Sequence, residues 1–317
     1  MNNSLNTPPI HYLDKVIYIA SVGYSGSTLL DMILGSQDDI TSLGEVALLA
    51  RYARDRAKCT CGEAVGDCQF WNQVEAELSK QQEKEISLKN FELTPEEVKQ
   101  SIFRKLPTLT DLSLVLGNQL IWKLAHKFNN RAKLFRQSAL NAINVFDIAC
   151  KVDQTRIIID SSKYALPLKS LYMELQDKFS VVFLVRDGRA VCKSLMKRQS
   201  ISMEQAAKKW ARYNQNLKLV MSSIPKNQIY NLSYERLCLE TETVLKELSD
   251  YIGTSDPIKI KPLLKDKFHD IGGNPMRYRR NETEIKYNDN WKSSITEEEL
   301  RIFEQYAGKI NRSLGYD

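Results

Sequence analysis

Val16-Ile17-Tyr18-Ile19-Ala20, then Ser21-Val22-Gly23-Tyr24-Ser25-Gly26-Ser27-Thr28, then Leu29-Leu30-Asp31-Met32-Ile33-Leu34-Gly35, is the stretch whose reading decides the fold. Its first five residues are apolar, β-branched or aromatic, which suits a parallel strand buried on both faces. Its last seven carry an apolar helical pattern with no break before Gly35, which stands where a helix stop usually stands. Between them lies a short turn with Gly23, Gly26 and the hydroxyls of Ser25, Ser27 and Thr28. Glycine lets backbone approach a ligand closely, and the first amides of a helix are unpaired donors, so such a turn is built to hold an anion, a phosphate group above all.

The same order of strand, polar turn and helix recurs along the chain. Ile40-Thr41-Ser42-Leu43-Gly44-Glu45 returns toward the sheet and leaves Glu45 at a strand-to-helix junction, where a carboxylate also serves as an ordinary helix-start partner. Arg156 to Asp160 reads as a strand ending in Asp160-Ser161-Ser162-Lys163, and Phe179 to Val185 as a stronger one ending in Arg186-Asp187-Gly188-Arg189, with Ser194 two helical turns further on. A fourth, Gln228 to Leu232, leads into Ser233-Tyr234-Glu235. Ligands of open α/β sheets bind at the carboxyl ends of the strands, where all these polar residues fall. The alternation predicts an α/β fold: a mostly parallel sheet covered by helices, a three-layer sandwich like that of P-loop NTPases.

Residues 1–14 read as a polar tail and 15–317 as one domain with a helical insertion at about 72–153. The insertion carries a helix start at Thr94-Pro95-Glu96-Glu97 and amphipathic segments over Leu112 to Phe128 and Arg131 to Lys151. Its lone His126 reads as a surface or packing residue. Past a helix around Glu240 to Tyr251 comes an irregular basic loop, His269-Asp270-Ile271-Gly272-Gly273-Asn274-Pro275-Met276-Arg277 and on through Arg279-Arg280, and near the end a capping box, Thr296-Glu297-Glu298-Glu299.

With 45 basic and 39 acidic side chains in 317 residues, the net charge of +6 suits a nucleotide or another small anion, and the absence of a basic block argues against a nucleic-acid partner. Met1 to Lys15 holds no apolar signal core and no stretch long enough to span a membrane, so the expected location is the cytoplasm. Of six cysteines, Cys150, Cys192 and Cys238 read as isolated buried thiols. Cys59, Cys61 and Cys68 cluster in a turn-rich segment ending at Phe70-Trp71; a zinc site would want a fourth ligand and a more usual spacing, so a local staple, thiol or disulfide, is the simpler expectation, and no metal is assigned.

The opening turn resembles a P-loop without its lysine, since Gly26 is followed by Ser27-Thr28. Taken with Arg186 and Ser194, whose guanidinium and hydroxyl suit one phosphate, the residues resemble the sulfotransferases that use 3′-phosphoadenosine 5′-phosphosulfate (PAPS). Ser25-Gly26-Ser27-Thr28 is similar to that family's 5′-phosphosulfate loop, with Gly23 and Tyr24 before it, and Arg186 with Ser194 to its 3′-phosphate pair. Tyr234 resembles the adenine-side tyrosine. Glu45 stands at the spacing where tyrosylprotein-type members carry a catalytic glutamate, and the Cys-x-Cys-Gly segment and the Gly-Gly-Asn-Pro-x-Arg loop ending in Arg277 look like those of bacterial members. Most members carry Lys or Arg where this chain has Tyr24; either the tyrosine donates a hydrogen bond in its place or a cation arrives from elsewhere, Lys163 first. The resemblance implies a metal-free transfer of a sulfuryl group from PAPS to the hydroxyl of a small molecule, sugar, lipid or peptide, with Glu45 as general base. The alternatives are a P-loop-like nucleotide or sugar kinase, and a nucleotide-binding protein without catalysis.

Overall fold

In the computed structural model, which describes residues 9–94, 117–261, 268–278 and 285–317, the strand of the opening stretch is the middle of the sheet. In chain order the elements that matter are β1 (Lys15–Ser21), α1 (Ser27–Gly35), β2 (Ile40–Ser42), α2 (Leu49–Arg54), α3 (Gln69–Gln81), α4 (Gln119–Phe128), α5 (Asn130–Asp153), β3 (Ile157–Asp160), α6 (Ala165–Leu175), β4 (Phe179–Val185), α7 (Gly188–Gln199), α8 (Met203–Met221), β5 (Ile229–Ser233), α9 (Tyr234–Leu239) and α10 (Thr241–Ile252). The five strands run in the order β2-β3-β1-β4-β5, and every pairing is parallel. β1 therefore sits where the chain turns from one half of the sheet to the other, the crevice in which ligands of such sheets bind.

Side-chain alternation along β1 divides the core into two layers. Val16, Tyr18 and Ala20 face a cluster built with α3, α5 and α6, including Trp71, Phe146, Phe179 and Leu168. Ile17 and Ile19 face the other way, toward Leu30 and Leu34 of α1 and Val244, Leu245 and Leu248 of α10. A third cluster, centred on Trp210 of α8, packs Val191 and Leu195 of α7 against Phe303 near the C-terminus, beside the opening turn. The three-layer α/β sandwich is thus formed with its helices on both faces.

The described chain between β2 and β3 carries the helices α2 to α5, with turns and loops between them. Residues 95–116, which include most of the expected Thr94-Pro95-Glu96-Glu97 helix start and the beginning of the Leu112 segment, lie outside the described residues, as do Arg279 and Arg280. Asn118 and Asn129 cap α4 and α5 with their side-chain oxygens. His126 packs as expected, with Nδ1 3.2 Å from the Trp122 carbonyl and Nε2 3.1 Å from Arg136. The capping box at Thr296 and Glu299 forms. The end of the supposed polar tail is anchored: the amides of His11, Tyr12 and Leu13 all donate to Asp147 Oδ1 of α5, and Leu13 is buried. No described helix is long and apolar enough to cross a membrane.

Candidate active site

Because all five strands are parallel, their carboxyl ends share one edge, and each runs directly into a residue singled out by the sequence. β1 enters the turn at Gly23 to Thr28, β2 precedes Glu45, β3 precedes Lys163, β4 precedes Arg186 and β5 precedes Tyr234.

The turn is shaped by two left-handed residues, Tyr24 at φ 71° and Gly26 at φ 92°. Gly26 has a second constraint: a Cβ there would stand 2.5 Å from Cδ2 of Tyr234, so the tyrosine ring lies directly on the backbone of the turn. Above the same ring, 4.1 Å from its centroid, sits the Arg186 guanidinium. Arg186 also donates to the Tyr24 carbonyl (3.2 Å) and to the Asn288 carbonyl (2.7 Å), while its buried Nε has no hydrogen-bond partner. Burial lifts the Tyr234 phenol to about 12, so it stays a neutral donor and stacking surface. The loop, Tyr234 and Arg186 form one stack.

The Arg-Asp-Gly-Arg turn divides its two guanidinium groups between tasks. Arg189 pairs with Asp187 at 2.7 Å and lies over the Trp291 ring, and Asp187 accepts from the Arg189 amide at the start of α7. The structural ion pair is therefore made by Arg189 and leaves Arg186 out of it. Ser194, on α7, turns its hydroxyl back to the Ala190 carbonyl at 3.0 Å, leaving the oxygen's lone pairs to accept from a donor and no proton for a phosphate in this rotamer.

Glu45 does not cap the short helix it precedes; its side chain makes no cap hydrogen bond. Instead Oε1 is 2.5 Å from Lys163 Nζ and Oε2 accepts from the Tyr52 hydroxyl at 3.2 Å. The side chains of Lys163 and Glu45 are only 11% and 20% exposed, and Lys163 itself holds a left-handed φ of 71°. Burial, followed by the Glu45 charge, pushes the Tyr52 phenol well up, which keeps it a donor. The Glu45 amide donates to the Ile271 carbonyl at 2.7 Å, and a Cβ on Gly272 would meet the Tyr52 hydroxyl and Glu45. One wall of the site is thus the loop from His269 to Arg277. That loop also reaches the opening turn, because the Asn274 amide donates to Thr28 Oγ1 at 3.1 Å. Arg277 is 6% exposed, donates to the Tyr278 hydroxyl at 2.9 Å and keeps a buried Nε without a partner.

Ser25 and Ser27 are buried in the turn. The Tyr24 ring packs against the cluster around Trp210, and its hydroxyl makes no hydrogen bond among the described residues. The helical insertion reaches this region too: Leu93, Phe135 and Ala142 line a small apolar cavity against Val46 and Ala47, the residues after Glu45.

Several residues here carried no sequence signal. Tyr52 is an unremarkable position on α2. Asp31 of α1 and Asp270 meet beneath the site as a buried carboxyl pair; Ser42 and Ser161 donate to Asp31, the latter at 2.8 Å. Burial pushes both carboxyls up, and Asp270 is pushed further by the Asp31 charge. Asp160, at the end of β3, is raised to about 7 by burial against the hydrogen bonds from Ser162.

None of the six cysteines is in a disulfide. Cys150 and Cys192 are buried as expected, while Cys238 is only partly so. Cys59, Cys61 and Cys68 do converge, and His269 joins them: the four ligand atoms lie within 4.8 Å of one another.

No curated protein matches the chain. Among solved structures, the sulfotransferase domain of the Synechococcus PCC 7002 olefin synthase is 16% identical, with 98% of each chain covered and a TM-score of 0.52. Sulfotransferase STF1 of Mycobacterium tuberculosis H37Rv is 13% identical over 93% of this chain and 77% of its own, with a TM-score of 0.45. Retinol dehydratase, solved with retinol and PAP, is 14% identical over 97% of this chain and 83% of its own, with a TM-score of 0.41. The olefin-synthase domain shows a common fold. Residues 17–257, which contain all five strand ends except the start of β1, match the model of the sulfotransferase family, and the chain belongs to that family.

Proposed function

We propose that the protein transfers the sulfuryl group of PAPS to an acceptor hydroxyl, with Glu45 as general base and the opening turn, Arg186 and Tyr234 holding the nucleotide. The observation that carries this reading is the stack of Gly26, Tyr234 and Arg186. It joins a phosphate-type turn to a guanidinium just past the end of the neighbouring strand through an aromatic ring, as a nucleotide phosphorylated at both 5′ and 3′ positions requires.

The residues fit that ligand on their own chemistry. Arg186 and Arg277 each keep a buried Nε donor without a partner, and an orphaned guanidinium donor is an anion site in waiting. PAPS supplies the sulfuryl group on an anhydride whose bridging oxygen departs with the 3′,5′-bisphosphate. The amides at the start of α1, with Ser25, Ser27 and Thr28, are the donors for charge on that departing phosphate.

Lys163 takes the part of the cation missing at Tyr24. Its Nζ pairs with Glu45 at 2.5 Å, so the two groups neutralise each other. Turning the ammonium toward an incoming phosphosulfate leaves the Glu45 carboxylate to accept the acceptor's proton, with Tyr52 keeping Oε2 in place. One movement thereby readies both the leaving-group cation and the base. Tyr24 contributes its carbonyl to Arg186 and its ring to the packing under the turn.

The acceptor belongs on the side of Glu45 covered by the helical insertion, whose class is a hydroxyl compound. The test is transfer from sulfur-labelled PAPS to a panel of phenol, sugar, lipid and tyrosine-peptide acceptors in the presence of a magnesium chelator. Labelled product without magnesium supports the reading; phosphoryl transfer from ATP that needs magnesium would replace it with a kinase.

A further inference from the structure

The fourth group that a zinc site in the cysteine segment would want lies far along the chain. We propose that Cys59, Cys61, Cys68 and His269 form a closed, structural Zn²⁺ site that fastens the loop bearing Gly272 and Gly273 to the segment after α2. His269 is 210 positions from Cys59, and its Nδ1 is 3.8 Å from the Cys59 sulfur and 3.4 Å from the Cys68 sulfur. The sulfurs of Cys61 and Cys68 are 3.6 Å apart, and those of Cys68 and Cys59 are 3.7 Å apart.

Those separations match the edges of a zinc tetrahedron. Zn–S bonds of about 2.3 Å and Zn–N bonds of about 2.0–2.1 Å place two sulfurs about 3.8 Å apart and a sulfur and a nitrogen about 3.5 Å apart. A disulfide would need the sulfurs at about 2.05 Å, and three thiols with no task have no reason to meet a ring nitrogen at one point. Three thiolates and an imidazole with no open position are a structural zinc set; oxygen-seeking cations would find no oxygen ligand.

The surroundings orient the four ligands. Cys59 and Cys68 are buried. The Cys59 amide donates to the Glu63 carbonyl (2.8 Å) and the Gly62 amide to the Cys59 carbonyl (3.0 Å), a tight turn that brings Cys61 round. The His269 ring lies parallel to Phe70 at 4.8 Å, and Trp71 Nε1 donates to the His269 carbonyl at 3.1 Å, so the Phe-Trp pair after Cys68 orients the distant histidine. Thr60, between two of the cysteines, binds the Asp270 carbonyl through both its amide and its hydroxyl. Loading exchanges three thiol protons for one Zn²⁺, with the imidazole neutral, and leaves the site with a single negative charge. Ile271, whose carbonyl accepts from the Glu45 amide, is only two positions beyond His269, so the metal acts on the active site by fixing this loop.

The site does not depend on the transfer reaction, and its test does not either. The chain, purified under reducing conditions without added metal or chelator, is expected to carry about one zinc by elemental analysis, with Cys59, Cys61 and Cys68 shielded from thiol reagents until the metal is removed. Replacing zinc by Co²⁺ should give the visible bands of a tetrahedral thiolate site. His269→Cys should keep the metal and strengthen the thiolate charge-transfer bands, while Cys238→Ser should leave metal content unchanged. A folded wild-type chain that holds no zinc and takes up Co²⁺ only at micromolar or weaker affinity would overturn the proposal. So would a mass two hydrogens light from a disulfide among the three cysteines, or a His269→Cys variant with an unchanged Co²⁺ spectrum.

Discussion

Replacing Glu45 by glutamine removes a charge and almost no volume, which makes it the sharpest probe of the proposed base. The change leaves Lys163 without its partner at 2.5 Å in a place where its side chain is only 11% exposed. Breaking a fully buried pair costs about 3–5 kcal/mol; with Glu45 partly open to water the cost here should be about 2 kcal/mol, a fall in melting temperature of roughly 3 °C for a chain of this length. Turnover should fall by about 10²–10⁴, the usual worth of a positioned base. The two effects are separable. In the double variant Glu45→Gln/Lys163→Met the unpaired ammonium is gone, so stability should return to near the wild-type value while activity stays lost. Thermal unfolding and labelled-sulfate transfer, run on all four members of the cycle with nucleotide affinity as a control, provide the readout. Wild-type turnover in Glu45→Gln, or activity recovered in the double variant, would refute the assignment and leave Glu45 as a structural partner of Lys163.

Three further outcomes follow from the same geometry. Gly26→Ala forces a Cβ into the Tyr234 ring at 2.5 Å and a side chain into φ 92°, a strain of about 1–3 kcal/mol; it should weaken adenosine 3′,5′-bisphosphate binding at least about tenfold in calorimetry, with the helical circular-dichroism signal kept, and unchanged affinity would remove Tyr234 from the nucleotide site. Arg186→Ala should weaken adenosine 3′,5′-bisphosphate by about 2 kcal/mol, or thirtyfold, yet hardly affect adenosine 5′-monophosphate, and equal losses for both nucleotides would contradict a 3′-phosphate role. Asp160 is raised by burial to about 7, so the folded chain holds a proton that the unfolded chain releases above about pH 4; the stability this proton confers is present at low pH and lost as pH rises through about 7. Asp160→Asn, whose amide oxygen can still accept from the Ser162 amide, should therefore gain on the wild type by up to about 4 kcal/mol between pH 4 and pH 8 in denaturant titrations, and a pH-independent difference would contradict a buried, raised carboxyl.

What could be read from the sequence was what depends on local pattern. The opening strand and those at Arg156, Phe179 and Gln228 announced themselves as short, largely apolar runs, with Ile40 to Ser42 read only as a return toward the sheet, and because a parallel sheet brings the carboxyl ends to one edge, the residues just after them, from Ser25 to Tyr234, could be gathered into one site without knowing the strand order. Contacts that join remote segments were not legible in this way. Glu45 and Lys163 were both singled out, but not as partners, since nothing in either stretch encodes that a side chain 118 positions away will meet it. The Asp31 and Asp270 pair looks in sequence like two ordinary polar residues; only the packing of the loop on α1 buries the two carboxyls together. His269 was overlooked for the same reason: the spacing of Cys59, Cys61 and Cys68 says where three ligands are, and the fourth arrives on a loop after β5 and α10. At Tyr24 the loop pattern suggested a hydrogen-bond donor in place of the family's cation, and the structure adds that its ring packs on the cluster around Trp210.

Calorimetry of the magnesium-free protein with adenosine 3′,5′-bisphosphate and with ATP tests the central claim, a two-ended site for a nucleotide phosphorylated at both ends, most directly. The account predicts one saturable site for the bisphosphate per chain, at least about tenfold tighter than ATP, a margin of about 1.4 kcal/mol from the 3′-phosphate on Arg186. Equal or tighter binding of ATP would contradict it.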